Sequence, residues 1–117
     1  MEFEMKVAAF RALGDPTRLG IIDLLATQCD SEGAIGEDGS VVGLSAGEVC
    51  CQLTGADKIT STISHHLHEL ESAGLVELTK QGRRTVCRLN GQALGEISGY
   101  LGGLAAATGR GCLGGAI

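Results

Sequence analysis

Tryptophan is absent from the chain, and aromatic residues make up only 3% of its 117 positions. That scarcity argues against a ring-lined sugar pocket and against an aromatic platform on which single-stranded bases stack. No run approaches the roughly 20 consecutive apolar residues that a membrane helix needs. The opening Met1-Glu2-Phe3-Glu4-Met5-Lys6 is acidic and lacks the apolar stretch of a secretory signal. A cytoplasmic protein with no membrane partner is therefore expected. There is no Gly-x-Ser-x-Gly, no Walker-type phosphate loop and no pair of carboxylates placed by flanking structure, so enzyme chemistry has little support. A Cys–His nucleophile pair is conceivable among the five cysteines and three histidines.

What is present is a hydrophobic content of 44%, enough for a core, in a length that suits one domain. Glycine is abundant, with 19 residues against a usual share of about 7%, and it clusters in a middle stretch and near the C-terminus. The five cysteines form an odd set. In a reducing cytosol such thiols point to ligands or redox sensors more than to a disulfide framework, although each can also serve as a small buried hydrophobe.

The net charge of −5 is unevenly spread. Residues 1–40 carry −5 and residues 41–79 carry −4, whereas residues 80–117 carry +4. Four bases and no acid fall in Lys80-Gln81-Gly82-Arg83-Arg84-Thr85-Val86-Cys87-Arg88. A basic strip on an acidic protein suits a small contact with a polyanion.

Apolar spacing and capping signals divide the chain. Val7, Phe10 and Leu13 recur at helical spacing up to Gly14. Asp15 followed by Pro16 reads as an N-cap and a first-turn proline, opening a second helix whose buried stripe is expected to be Leu19, Ile22, Leu25 and Ala26. Residues 27–44 lack periodicity and read as a long loop, with a short extended piece at Val41-Val42. Ser45-Ala46-Gly47-Glu48 fits a capping box that starts a short helix through about Leu53.

After a turn at Thr54-Gly55-Ala56-Asp57, the residues Ile59, Ile63, Leu67, Leu70 and Ala73 define one helical face, stopped by Gly74. The opposite face carries Ser61, Thr62, Ser64, His65, His68, Glu69 and Ser72. Residues 75–79 and 85–89 read as two strands of a hairpin that turns at Gln81-Gly82. Asn90 can cap a last helix with Leu94, Ile97, Leu101, Leu104 and Thr108 on its seam. Residues 109–117 are Gly-rich and are expected to form a flexible tail beyond a domain of residues 1–108. Helix, helix, short helix, turn, helix, hairpin, helix is a mainly α arrangement with a small β-hairpin: the order of a winged helix-turn-helix.

Phe10-Arg11-Ala12-Leu13-Gly14-Asp15-Pro16-Thr17-Arg18-Leu19, then Ser61-Thr62-Ile63-Ser64-His65-His66-Leu67, then Leu70 and Ala73-Gly74-Leu75-Val76, resemble the ArsR/SmtB repressors. The resemblance spans about residues 7–105. It implies a homodimer on double-stranded operator DNA, released when an inducer binds. The family's recognition helix often opens with Gln where this chain has Thr60, and residues 27–44 are more numerous than is typical there.

The resemblance places Thr60, Ser61, Thr62, Ser64 and His65 near bases, and Lys80, Arg83 and Arg84 against phosphates or the minor groove. The family's arsenite sensors carry a pattern similar to Glu-Leu-Cys-x-Cys, where this chain has Glu48-Val49-Cys50-Cys51. It thus implies Cys50 and Cys51 as ligands of a thiophilic inducer such as arsenite or antimonite, with Cys29 as a third ligand and Cys112 as its alternative. Adjacent helical side chains diverge by about 100°, so convergence of the two thiolates on one ion requires distortion or a partner. Cys87 reads as buried filler. His66 matches the family's Ser-x-His-Leu and is expected to serve helix packing, while His65 and His68 read as DNA contacts rather than a zinc pair. Cysteine oxidation remains the alternative trigger, and a protein-interaction module without DNA binding the alternative from another class.

Overall fold

In a computed structural model, residues 1–28 and 43–109 are described. Five helices and three strands follow one another as α1 (Phe3–Leu13), α2 (Pro16–Gln28), β1 (Leu44–Ser45), α3 (Ala46–Thr54), α4 (Ser61–Ser72), β2 (Val76–Gln81), β3 (Arg84–Leu89) and α5 (Gly91–Gly109). This is the expected winged helix-turn-helix. The expected extended piece at Val41-Val42 lies outside the described residues, as do Cys29, Cys112 and residues 110–117 of the expected tail.

Local side-chain chemistry starts most of the helices. Asp15 Oδ2 accepts from the backbone N–H groups of Thr17 (2.9 Å) and Arg18 (3.1 Å), which caps α2. Ser45 and Glu48 form the reciprocal capping box of α3. Thr60 Oγ1 accepts from Ile63 N to cap α4, and Asn90 Oδ1 accepts from Ala93 N at the start of α5. Asn90 also donates to the Gly74 carbonyl at 2.8 Å, tying the beginning of α5 to the end of α4. That end is a Schellman closure: Gly74 N donates to Glu71 O and Leu75 N to Leu70 O, with Gly74 at φ +80° where a side chain would be strained.

The three-stranded antiparallel sheet has the order β1-β3-β2. Gln81 faces Arg84 across a two-residue loop, so both hairpin strands run further toward the tip than residues 75–79 and 85–89. Gly82 holds φ +63° at the first loop position, which suits the tight hairpin turns that match strand twist. β1 adds Leu44 opposite Cys87 and Ser45 opposite Val86.

One core joins all these elements, with Ile21, Leu67, Leu70, Leu75, Val49, Val86, Cys50 and Cys87 fully buried. Several stripes differ from expectation: Ile59, expected on the apolar face of α4, precedes that helix and is exposed. On α2 the buried residues are Ile21, Ile22 and Leu25, while Leu19 and Ala26 are exposed. Leu19 lies two residues, about 200° of rotation, from Ile21, and α2 turns Ile21 toward the core it shares with α1, α3, α4 and β3. On α1 the buried residues are the small Ala9 and Ala12, which let the helix lie close, while Val7 and Phe10 face outward. On α5 only Ala93 and Ile97 are buried, and Leu101 and Leu104 remain half exposed at 49% each. The Phe10 ring meets Tyr100 at 6.2 Å between centroids, and Lys6 Nζ sits 4.1 Å from the Tyr100 ring centre. The outer sides of α1 and α5 thus each expose apolar residues and meet where Phe10 contacts Tyr100.

Candidate nucleic-acid interface

Ile63, Leu67 and Leu70 fix the rotation of α4 by entering the core, and this turns Ser61, Thr62, His65 and His68 to solvent, with Ser64 half-buried. Beside them opens a cleft of about 850 Å³ between the N-terminal end of α3, α4 and the hairpin. Ser64, Lys80, Arg83 and Arg84 line it together, four of the residues singled out in the sequence. Ser61, Thr62 and His65 do not line it; they lie on the exposed face of α4. Lys58 and His68 also line the cleft. Lys58 was not anticipated, because a lone lysine before a helix carries no pattern; only folding brings it opposite the hairpin.

The charge on this surface is segregated by element. Ser61–Ser72 contains no Lys or Arg, and His65 and His68 each lie near an acid of their own helix, Glu69 at 3.7 Å and Glu71 at 3.6 Å. Fixed positive charge comes from Lys58 and the hairpin. Arg84 Nη2 donates to Glu48 Oε1 at 3.2 Å, which links the wing to the first turn of α3. The Ser45 backbone N–H, foremost, holds the Glu48 carboxyl below its ordinary pKa, with Arg84 adding to the effect.

Thr60 is used structurally: its hydroxyl caps α4, and it lies 3.9 Å from Cys50 Sγ. His66 is half-buried, and its Nδ1 stands 3.1 Å from Arg18 Nη1. Arginine only donates, so Nδ1 must be the acceptor and the ring proton sits on Nε2, 4.0 Å from Asp15 Oδ2. Arg18 Nε donates to the Ala12 carbonyl at 2.8 Å. Helix α4 is thereby bolted to the α1–α2 corner, the packing role expected of His66. The N–H of Arg18 is the leading cause that depresses the Asp15 carboxyl pKa.

The cysteines of α3 point apart. Cys50 is fully buried, with Sγ 3.6 Å from both Thr54 Oγ1 and the Lys58 carbonyl, whereas Cys51 is exposed. The Thr54 contact, chiefly, draws the Cys50 thiol below its ordinary pKa, against the opposing effect of burial. Cys87 is buried on β3, and burial pushes its thiol up to about 11, consistent with the expected filler. Among the described residues no three His, Cys, Asp or Glu side chains cluster as metal ligands would.

A surface of this kind, a helix held by its apolar face beside a basic two-stranded wing, defines a helix-turn-helix regulator. An uncharacterized HTH-type transcriptional regulator of Methanocaldococcus jannaschii is 38% identical over 81 residues, covering 69% of this chain and 73% of that protein. An ArsR-like transcriptional regulator from Rhodococcus sp. RHA1 superposes with a TM-score of 0.67 at 27% identity, covering 92% of this chain and 86% of that one. A crystal structure described as a possible transcriptional regulator for arsenical resistance gives a TM-score of 0.58 at 23% identity, covering 80% of each chain. No family model matches the sequence. The chain belongs to the HTH-type transcriptional regulators, and its fold is that of ArsR-like regulators. It is a regulator and not an enzyme. No described helix is long and apolar enough to cross a membrane.

Proposed function

We propose that this regulator is a cytoplasmic repressor that binds double-stranded operator DNA as a homodimer and is released by a thiophilic inducer, arsenite or antimonite. The observation that carries the DNA reading is the cleft itself: an exposed polar helix face beside Lys58, Lys80, Arg83 and Arg84, on a protein whose net charge is −5. Ser61, Thr62, Ser64 and His65 approach base edges in the major groove, while Lys80, Arg83 and Arg84 meet phosphates. Residues 1–108 supply both DNA binding and dimerisation. Pairing through the exposed apolar side of α1 and α5 by a two-fold axis gives two recognition helices; a spacing of about 34–36 Å places them in successive major grooves.

The support for the inducer is chemical. Trivalent arsenic and antimony favour thiolates, and Cys51 offers an exposed thiol next to Cys50. Cys50 lies against Lys58 and Thr60, the residues that lead into and cap α4. Drawing Cys50 outward to share an ion with Cys51 removes those contacts and loosens the start of the recognition helix. Cys29, or Cys112 in its place, completes the set of three ligands. An inducer that favours the DNA-free form by about 1–3 kcal/mol changes operator affinity 5–150-fold.

The test is fluorescence anisotropy on a duplex selected from a random pool, titrated with arsenite, antimonite, zinc, cadmium and peroxide. Release by the two metalloids at lower concentration than by the others is expected. Release by peroxide alone replaces the metalloid with cysteine oxidation, and failure to select any duplex overturns the DNA reading.

A further inference from the structure

The wing carries its own counter-ion. Ser45 is registered opposite Val86, which brings the first turn of α3 alongside the base of the wing, two residues from Arg84. Glu48 is already pinned there: its Oε1 accepts from the Ser45 backbone N–H at 2.7 Å, and its own N–H donates to Ser45 Oγ at 3.1 Å. That same Oε1 accepts from Arg84 Nη2 at 3.2 Å. A surface pair ordinarily gains little because two long side chains must be frozen to make it. Here the carboxylate half is held by the capping box whether or not Arg84 is present, so only Arg84 loses freedom.

The partner competes directly with DNA. Arg84 lines the same cleft as Lys80 and Arg83, and a guanidinium committed to a carboxylate offers fewer donors to a phosphate oxygen. Lys80 and Arg83 take part in no ion pair among the described residues. Only the Arg84 contact requires an exchange of partners.

Resting on the reading of this surface as a DNA interface, we propose that Glu48 is a positioning residue that occupies Arg84 in the free protein and must be displaced by a backbone phosphate. Glu48 thereby lowers affinity for every duplex by the same factor, because a phosphate contact carries no sequence information. It weakens adherence to random DNA without altering which sequence is preferred.

The decisive variant is Glu48→Gln. Glutamine at this position still satisfies a capping box, so α3 keeps its start while the ion pair is lost. Glu48→Gln is expected to bind both a selected and a random duplex about three- to fivefold more tightly in 0.1 M salt. The slope of log affinity against log salt should steepen by up to about 0.9, because in the wild type the cation taken up by the freed Glu48 offsets the one that Arg84 releases from DNA. In an Arg84→Ala background the same substitution should change neither affinity nor slope.

An equal gain in the Arg84→Ala background overturns the proposal, since it reports plain repulsion between Glu48 and DNA. So does an unchanged affinity in Glu48→Gln alone while Lys80→Ala and Arg83→Ala still flatten the salt slope; the DNA reading then stands without the latch. Wild-type protein that binds no duplex overturns both. Thermal unfolding of Glu48→Gln within a few degrees of wild type shows that the capping box is intact.

Discussion

Removing one side chain from the exposed side of α5 tests whether that surface joins two copies. Leu101 is 49% exposed and lies outside the packed core of the single chain. Fully burying a leucine contributes about 1.5–3 kcal/mol, so covering the exposed half contributes about 1 kcal/mol. A two-fold interface contains the residue twice, and Leu101→Ala should therefore weaken the dimer by about 2 kcal/mol, close to 30-fold in dissociation constant. Leu101→Asp adds the cost of burying a charge and should leave only monomer at micromolar concentration.

Sedimentation equilibrium across a dilution series measures both. Because Leu101 packs on nothing in its own core, the far-ultraviolet circular dichroism of each variant should match that of wild type. Unchanged dimer constants for Leu101→Ala and for Leu104→Ala would show that the apolar side of α5 is not the interface. A wild-type monomer that still binds operator would remove the dimer altogether.

Other consequences follow from the same geometry. Lys80→Ala combined with Arg83→Ala should weaken binding to all duplexes and flatten the salt slope by up to about 1.8, whereas Ser64→Ala or His65→Ala should change sequence preference; anisotropy on selected and scrambled duplexes separates them. Cys50→Ser and Cys51→Ser should each bind operator yet resist release by arsenite, with Cys29→Ser intermediate and Cys87→Ser like wild type; release of both α3 variants at wild-type arsenite concentrations would move the sensor elsewhere. The raised thiol pKa of Cys87 favours its protonated form in the folded chain, so its contribution to stability is complete below an ordinary value of 9.0 and fades as pH rises through about 11. Urea unfolding between pH 8.5 and 11 should therefore show a shallower decline for Cys87→Ala than for wild type, and identical pH slopes would refute the assignment.

Elements whose boundaries rest on short-range chemistry were legible. Asp15, Ser45 with Glu48, and Asn90 cap helices through partners two or three residues away, and Gly74 closes α4 through its own backbone angle. Spacing alone was a poorer guide to which face is buried. Leu19 and Ile21 are comparable hydrophobes on one helix, and nothing within α2 says that Ile21 meets the core. The hairpin strands extend beyond residues 75–79 and 85–89 through the polar Lys80, Gln81 and Arg84. Their pairing is set by the two-residue turn at Gly82-Arg83, which polarity does not report.

The candidate interface divides along the same line. The basic strip and the polar face of α4 stand out in the linear chain, since one is a local run and the other a helical repeat. The Glu48–Arg84 pair spans 36 positions and exists only because β1 registers Ser45 against Val86. Cys50 and Cys51 show what a local rule can and cannot decide. Their divergence follows from the rotation per residue of any α-helix, so the two thiols cannot share one direction. Which of them faces inward depends on the buried neighbour Val49 and on the loop returning from α3 to α4, and this choice matters most for the proposed inducer response. With Cys50 inside, against Lys58 and Thr60, any inducer that needs both thiolates must disturb the cap of the recognition helix before it can bind. Had Cys51 been the buried thiol, an ion at Cys50 would have had no such contact to break.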